Sequence, residues 1–240
     1  MQYFAAHMQR DFFARVEKAI SSERLSVYAS DGVDEQTAFA RYLLNMALSQ
    51  ALYVPLQLCE VALRNAIHSY LVTVVRREDW FDEPSFRLTE WGASEVRKAK
   101  DKLARAQKPV TPGRVVAELQ FGFWTSMFEA HYERTPFLPR GIKGVFPYLP
   151  KSLHNRKDRK NDLEHIRNLR NRVFHHERLL HWRDLDQQHA LLLHLIGWLN
   201  PTLHELAIKL DRFTLIRHAG LGPWRAILDP HEAQIDLVRS

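Results

Sequence analysis

Apolar residues recur at helical spacing through almost the whole chain, and the strict alternation of a half-buried strand is sustained nowhere. The first such pattern covers residues 12–20, and a Ser-Asp-Gly turn at 30–32 ends it. The Asp34 carboxylate can then cap a second helix. Pro55 suits the first turn of a third helix that runs to about Arg77. The periodicity therefore predicts an all-α protein.

The second half of the chain continues in the same way. A loop rich in proline and glycine is expected at 135–150, and Pro201 should end or kink the helix before it. The sequence predicts four further helices, at 88–106, 115–132, 158–181 and 184–199. The first of these is rich in Lys, Ala, Arg and Glu and has few apolar residues, so we expect it on the outside.

The 240 residues are long enough for one large domain with appendages. We expect an N-terminal helix and linker at 1–33, a helical domain at 34–210, and a C-terminal tail at 211–240 that packs on this domain. Internal repeats and low-complexity linkers are absent from the sequence.

Positive charge is concentrated in one segment. The chain has a net charge of +6, and the window from Lys151 to Arg183 alone holds 10 Lys and Arg against 4 Asp and Glu. Five of the 13 histidines lie in the same window. A focused cationic surface favours a polyanionic partner, although a solvated basic helix would show the same composition.

Several classes of protein do not fit this composition. The single cysteine, Cys59, excludes a disulfide framework and a multi-cysteine zinc site, and it suits the reducing cytoplasm. No apolar run approaches the ~20 residues of a membrane helix, the nearest being Ala190–Leu199. The N-terminus shows no signal peptide. We therefore predict a cytoplasmic protein without a membrane partner.

The segment LEHIRNLRNRVFHHERLL, residues 163–180, carries the candidate chemistry. On a helix, the apolar residues fall on one face, and Arg167, Asn171, His175 and Arg178 fall on another stripe. Arginine can hold two phosphate oxygens, histidine can move a proton near neutral pH, and asparagine can orient the imidazole. The stripe fits a phosphodiester site, but a wet helix face would show the same residues.

Arg170 does not fit this stripe. On an ideal helix it points about 140° away from His175. Either the helix is distorted there, or two copies of it meet in a two-fold dimer and line one groove.

At these residues the chain resembles the abortive-infection (Abi-like) branch of the HEPN ribonuclease superfamily. Residues 170–175 (RNRVFH) match its Arg-Asn-x₃-His motif, a form of R-x₄₋₆-H. Residues 59–71 (CEVALRNAIHSYL) resemble its Glu-x₃-Arg-Asn element, and residues 119–128 (LQFGFWTSMF) resemble its Phe-Gly-x-Trp element. The three elements keep the family's order and span most of residues 35–200.

The resemblance implies a HEPN-like helical bundle with additional peripheral helices, a homodimer, and metal-independent endoribonuclease activity in phage defence or as a toxin. Arg170 would stabilise the scissile phosphate, His175 would handle the proton, and Asn171 would support the site. His176 follows directly, so either histidine can be the one that acts. The RNA would be tRNA or mRNA, and an antitoxin is a possible partner.

Other residues are expected to bind RNA or to support the site. Glu60 and Arg64 can instead form an ordinary i,i+4 ion pair. A close helix crossing would explain Gly122, and Trp124 and Phe128 would then lie in the core. The supporting set comprises Arg167, Arg172, His176, Arg178, Glu60, Arg64, Asn65, Lys157, Arg159 and Lys160.

No cofactor is predicted. His176-Glu177 and His204-Glu205 do not begin an HExxH motif, so no metal site is expected. Two alternatives to the ribonuclease stay open. One is a non-catalytic module that binds or senses RNA through the basic helix, and the other is a structural dimer whose charge serves solubility.

Overall fold

The computed structural model describes residues 12–135, 137–138 and 140–229. These residues form helices and turns without any strand, which confirms the all-α prediction. The α-helices are α1 (described from residue 12 to 20), α2 (Ser22–Ser26), α3 (Glu35–Val75), α4 (Glu90–Arg105), α5 (Pro112–Glu118), α6 (Phe121–Ser126), α7 (Gly141–Val145), α8 (Arg156–Phe174), α9 (Leu185–Leu199), α10 (Pro201–Leu210), α11 (Phe213–Ala219) and α12 (Gly222–Leu228). Short 3₁₀ turns occur at Ser30–Gly32, Trp80–Asp82, Pro84–Phe86, Ala130–Arg134 and Lys151–Leu153.

The start of α3 follows the prediction, but its length does not. The Asp34 carboxylate accepts the Thr37 N–H at 2.6 Å, so it caps the helix as expected. The predicted new helix at Pro55 is wrong, because α3 runs through this proline as a single helix of 41 residues. Proline removes one backbone hydrogen bond there. The apolar neighbours Leu52 and Leu56 are both buried, and their burial favours a continuous helix.

Three of the other predicted segments also differ from the structure. The segment 115–132 is divided into α5, α6 and a 3₁₀ turn, and the expected loop at 135–150 contains α7. The basic helix ends at Phe174 and not at His181. By contrast, α4 and α9 lie where the periodicity placed them, and Pro201 takes the first position of α10, where its missing N–H costs nothing.

The chain forms two compact units. The first includes the described residues 12–53, Arg172–Leu185 and 211–229. Its aromatic centre is the contact between the Phe13 and Phe39 rings, whose centroids are 4.8 Å apart. Leu25 is buried with them, and the half-buried residues Val16, Ile20, Tyr42 and Leu228 pack against this cluster.

The second unit comprises Val54–Asn171 and Asp186–Leu210. Its core is aromatic and centres on Trp80, which is fully buried. Trp124 and Phe128 are also fully buried, as predicted for the Phe-Gly-x-Trp segment. The Trp80 ring contacts four other rings, those of Phe81, Phe86, Phe123 and Trp124.

Helix α3 is also the segment that most resembles a membrane helix. Among the described residues, only this helix is long and apolar enough to cross a membrane by length and composition. The sequence had instead indicated Ala190–Leu199 as the segment most like a membrane helix. In its most apolar window 44% of the residues are buried inside the protein. A core helix meets the same criteria, so length and composition are a weak indication here.

A partly buried hydrogen bond in the second unit joins a tryptophan to a histidine. The Trp80 indole N–H donates to His68 Nδ1 at 3.0 Å, which makes Nδ1 the acceptor and requires a neutral imidazole. Burial lowers the pKa of His68, and the nearby Glu78 carboxylate opposes this effect. Protonation of His68 would therefore leave the Trp80 N–H without its acceptor.

We expect this pair to make stability fall in mild acid. Because the pKa of His68 is lower in the folded protein, the unfolded chain takes up the proton first, and stability is lost as the pH falls below about 6.5. Losing the bond to a buried indole should cost on the order of 1 kcal/mol. Urea unfolding at pH 8 and pH 5 measures the loss, which should be smaller in His68→Gln. His165→Gln, on an exposed helix position, is the control and should keep the wild-type pH dependence.

Candidate functional site

The basic helix α8 ends in a defined C-terminal cap. His176 adopts the left-handed conformation with φ 57°. Its N–H donates to the Val173 carbonyl at 3.2 Å, and the Glu177 N–H donates to the Arg172 carbonyl at 2.8 Å. These two bonds form a Schellman motif, which stops the helix and satisfies its last carbonyls. Histidine is one of the few residues besides glycine that is enriched in this conformation.

This cap corrects the predicted polar stripe. Arg167 and Asn171 lie four residues apart on α8, and His175 directly follows its last residue, Phe174. The left-handed conformation is at His176, so Arg178 lies beyond the corner and does not extend the face. Because the corner comes after His175, it tests neither the distorted helix nor the dimer that the angle between Arg170 and His175 suggested.

The segment after the cap is anchored by Asn45 of α3. The Asn45 side chain is buried; its amide donates to the Glu177 carbonyl at 3.2 Å, and its carbonyl oxygen accepts the Leu179 N–H at 2.6 Å. Arg24 donates to the His176 carbonyl from α2. Sequence reasoning missed Asn45. In the sequence, Asn45 is an amide side chain within an apolar helical segment. Such an amide needs a hydrogen-bond partner when it is buried.

A cleft of about 480 Å³ opens beside this segment, within the first unit. It is lined by three arginines, three histidines and one glutamate, so its surface is strongly cationic. The lining residues are Arg24, Val27, Tyr28, Arg172, His175, His176, Glu177, Arg178 and His181. Four of them, Arg172, His175, His176 and Arg178, were candidates from the sequence, whereas Arg24, Tyr28 and His181 were not.

Two arginines of the cleft also hold its walls together. Arg172 pairs with Glu177 at 2.7 Å, and its guanidinium lies 5.0 Å from the centre of the Trp182 ring. Arg178 donates to the Val27 carbonyl and lies 5.7 Å from the centre of the Tyr28 ring. These contacts fix the planes of both guanidinium groups.

His181 lies in the cleft next to these cations. Partial burial lowers its pKa, and the positive charges of Arg172 and Arg178 lower it further. A neutral imidazole is thereby favoured at physiological pH, which is the form that accepts a proton. In the sequence, His181 is one of five histidines in the basic window. Its environment depends on residues of the cap and could not be read from spacing.

Arg170 lies on α8 in the second unit and forms an ion pair with Glu60 of α3 at 3.2 Å. The two residues are 110 positions apart, and the pair joins the Glu-x₃-Arg-Asn and Arg-Asn-x₃-His elements. The local Glu60–Arg64 pair considered from the sequence is replaced by this long-range pair. The Arg64 Nε–H instead donates to Asn65 Oδ1 at 3.4 Å. Asn171 is half-buried one residue further along α8.

No protein-family model, curated protein or solved structure matches this chain. The chemistry of the site therefore has to be inferred from its own residues.

The other basic candidates on α8 differ in what they can bind. Lys157 is exposed near the start of the helix, where Asn155 Oδ1 caps its backbone N–H at 2.8 Å. Lys160 is half-buried and pairs with Glu164 at 3.1 Å. Arg159 is only 4% exposed and is held by three groups, so it packs the core and does not present its charge to RNA. These groups are the Asp162 carboxylate at 2.6 Å, the Leu153 carbonyl at 3.1 Å and the Trp198 ring at 4.7 Å.

Arg167 is half-buried between a carboxylate and a glycine. Its Nη2 lies 3.5 Å from Glu164, and a Cβ at Gly122 would lie 3.9 Å from the Arg167 Cδ atom. That distance is an ordinary van der Waals contact, so close packing does not require glycine at position 122.

Within the described residues, no group of three or more His, Cys, Asp or Glu side chains could hold a metal ion.

The cap makes a prediction about His176. A non-glycine residue in the left-handed region costs about 1–2 kcal/mol, whereas glycine costs about 0.5–1 kcal/mol in backbone entropy. His176→Gly should therefore raise the free energy of unfolding by about 0.5–1 kcal/mol. His176→Ala is the matched variant, because it also removes the imidazole but keeps the strained conformation. Chemical denaturation would contradict this account if the glycine variant were no more stable than the alanine variant.

Proposed function

We propose that this protein is a metal-independent endoribonuclease of the HEPN type, from the Abi-like branch, acting in phage defence or as a toxin. The cationic cleft supports the proposal most directly, because it collects His175, two further histidines and three arginines on one surface. The acting form in the proposal is a cytoplasmic homodimer with a HEPN-like bundle fold. Its substrate is tRNA or mRNA, and an antitoxin would restrain it.

The proposed reaction is transesterification by the RNA itself. The 2′-hydroxyl attacks the adjacent phosphorus, and the bond to the 5′-oxygen breaks. The products are a 2′,3′-cyclic phosphate and a 5′-hydroxyl. His175 moves a proton, Arg170 stabilises charge on the phosphate, and Asn171 supports the site. Such proton transfer contributes typically ~10²–10⁴-fold, and fixed cations act where charge develops.

The Glu60–Arg170 pair gives Arg170 a defined orientation before RNA binds. A carboxylate at 3.2 Å holds the guanidinium plane, and both side chains are about three-quarters buried. A held guanidinium loses less entropy when it meets a phosphate than a free one does. This supports a role for Glu60 as a positioning residue for Arg170.

A second function is favoured by the same ion pairs. Arg170 is paired with Glu60 and Arg172 with Glu177, so each would have to exchange or share its carboxylate to hold a scissile phosphate. A module that binds or senses RNA without cutting it needs only the net positive surface. Product ends separate the two functions, because binding alone creates no cyclic phosphate.

The first functional prediction concerns Arg170 and His175. Arg170→Ala and His175→Ala should each reduce RNA cleavage by about 10²-fold or more, with the fold retained by circular dichroism. Arg97→Ala and His165→Ala, at exposed helix positions, are the matched controls and should cleave like wild type. Cleaved RNA is measured by sequencing of new 5′ ends after induction in a bacterial host.

Glu60→Gln separates catalysis from packing in that experiment. It removes the ion pair but leaves Arg170 in place, so it should impair cleavage less than Arg170→Ala does. Equal losses in both variants would assign Arg170 a structural role only. Cleavage at the wild-type rate by purified Arg170→Ala and His175→Ala would remove both residues from the mechanism.

The second functional prediction concerns metal. RNA cleavage by the purified protein should persist in EDTA, because the proposed proton transfers and charge stabilisation come from histidine and arginine. Cleavage of a labelled RNA is compared with and without chelator, using a Mg²⁺-dependent nuclease as the control. Loss of activity in EDTA that Mg²⁺ or Mn²⁺ restores would contradict the proposed chemistry.

A further inference from the structure

Three imidazoles line the cationic cleft, but the proposed reaction has so far used only one. His175, His176 and His181 share a cleft of about 480 Å³, a size that suits a nucleotide-sized ligand. Transesterification of RNA moves two protons, one away from the 2′-hydroxyl and one onto the 5′-oxygen. A single imidazole cannot be the neutral acceptor and the protonated donor in the same step.

We propose that His181 is a second catalytic residue, the general base of the reaction, and that His175 is its general acid. The assignment rests on the proposed ribonuclease function. Neutral His181 accepts the 2′-hydroxyl proton while the 2′-oxygen forms the new bond to phosphorus. The bond from phosphorus to the 5′-oxygen breaks, and that oxygen takes the proton from His175. The step conserves protons and electrons without any further reactant.

The surroundings of His181 suit a base. The charged and titratable groups around it are the cations Arg24, Arg172 and Arg178, the carboxylate Glu177, the phenol of Tyr28, and the imidazoles of His175 and His176. Glu177 is paired with Arg172 at 2.7 Å, so the cations dominate and disfavour a second positive charge on His181. Partial burial lowers the pKa of His181, and the positive charges of Arg172 and Arg178 lower it further.

The position of His181 is also defined. Its ring lies edge-to-face against Trp182, with ring centres 6.4 Å apart, and the same indole carries the Arg172 guanidinium at 5.0 Å. His181 is nevertheless exposed, so substrate can reach it. The two hydrogen bonds from the Asn45 side chain to the backbone of Glu177 and Leu179 hold the segment that leads to His181.

The position of His175 suits a group that reaches the leaving oxygen. It lines the same cleft as His181, and its side chain is exposed. It occupies the last position before the left-handed corner at His176, at the end of α8. His176 has a different task, because its backbone forms the corner and its carbonyl accepts Arg24.

An altered leaving group tests the two roles separately. RNA that the wild type cleaves is synthesised with sulfur in place of the bridging 5′-oxygen at the cleaved bond. Sulfur leaves as a thiolate and needs no general acid. His175→Ala should lose about 10²-fold or more on normal RNA but recover to within about tenfold of wild type on the sulfur substrate. His181→Ala should lose about 10²-fold or more on both substrates.

The pH profile and two controls complete the experiment. The acid limb of the wild-type rate profile should disappear in His181→Ala, because that limb reports the base. His165→Ala is the control variant and should match wild type. Circular dichroism, together with RNA binding measured by fluorescence anisotropy, shows that the variants fold. His181→Gln, which keeps a polar side chain of similar length, should be as impaired as the alanine variant.

The outcomes separate this inference from the proposed function. Wild-type rates and an unchanged acid limb in both His181 variants would overturn the role of His181 and leave the ribonuclease standing. Rescue of His181→Ala by sulfur, with no rescue of His175→Ala, would overturn the assignment of base and acid. Absence of cyclic-phosphate products with the wild-type protein would overturn the ribonuclease itself.

Discussion

The candidate site depends on one backbone event, the left-handed turn at His176. The helix predicted at 158–181 would have placed His175, Arg178 and His181 on one continuous helix. The Schellman bonds to Val173 and Arg172 instead stop α8 at Phe174 and send the chain in a new direction. The buried Asn45 amide then fixes the departing backbone at Glu177 and Leu179. The cationic cleft is a consequence of this turn.

A second constraint joins distant parts of the sequence. The Glu60–Arg170 ion pair links α3 to α8 across 110 positions. Removing either partner from a largely buried pair would leave an uncompensated charge, which is costly in a low-dielectric setting. Two sequence elements that suggested one family are therefore neighbours in space. Their contact is a physical reason for them to occur together, whether or not RNA is cleaved.

Charge in the basic window is used in three ways. Arg159 is buried in the core, where its guanidinium contacts Asp162, Leu153 and Trp198. Arg172 and Arg178 both hold the cleft and give it positive potential. Lys157 stays exposed to solvent. A count of lysines and arginines treats these residues alike, although their burial makes them very different partners for a polyanion.

The sequence by itself determined the all-α class, the cap at Asp34, the positions of α4 and α9, and the burial of Trp124 and Phe128. These features depend on local periodicity, on side chains that satisfy nearby backbone groups, and on apolar burial. All three depend on residues that are close together in the sequence. The tertiary structure decided where α8 ends, that α3 continues through Pro55, and which partner Glu60 takes. It also brought His181 and Arg24 into the cleft. The partner of Glu60 and the residues that line the cleft depend on contacts between residues far apart in the chain, as does the bond between Asn45 and Leu179. The energy of such contacts appears only when both partners are packed together.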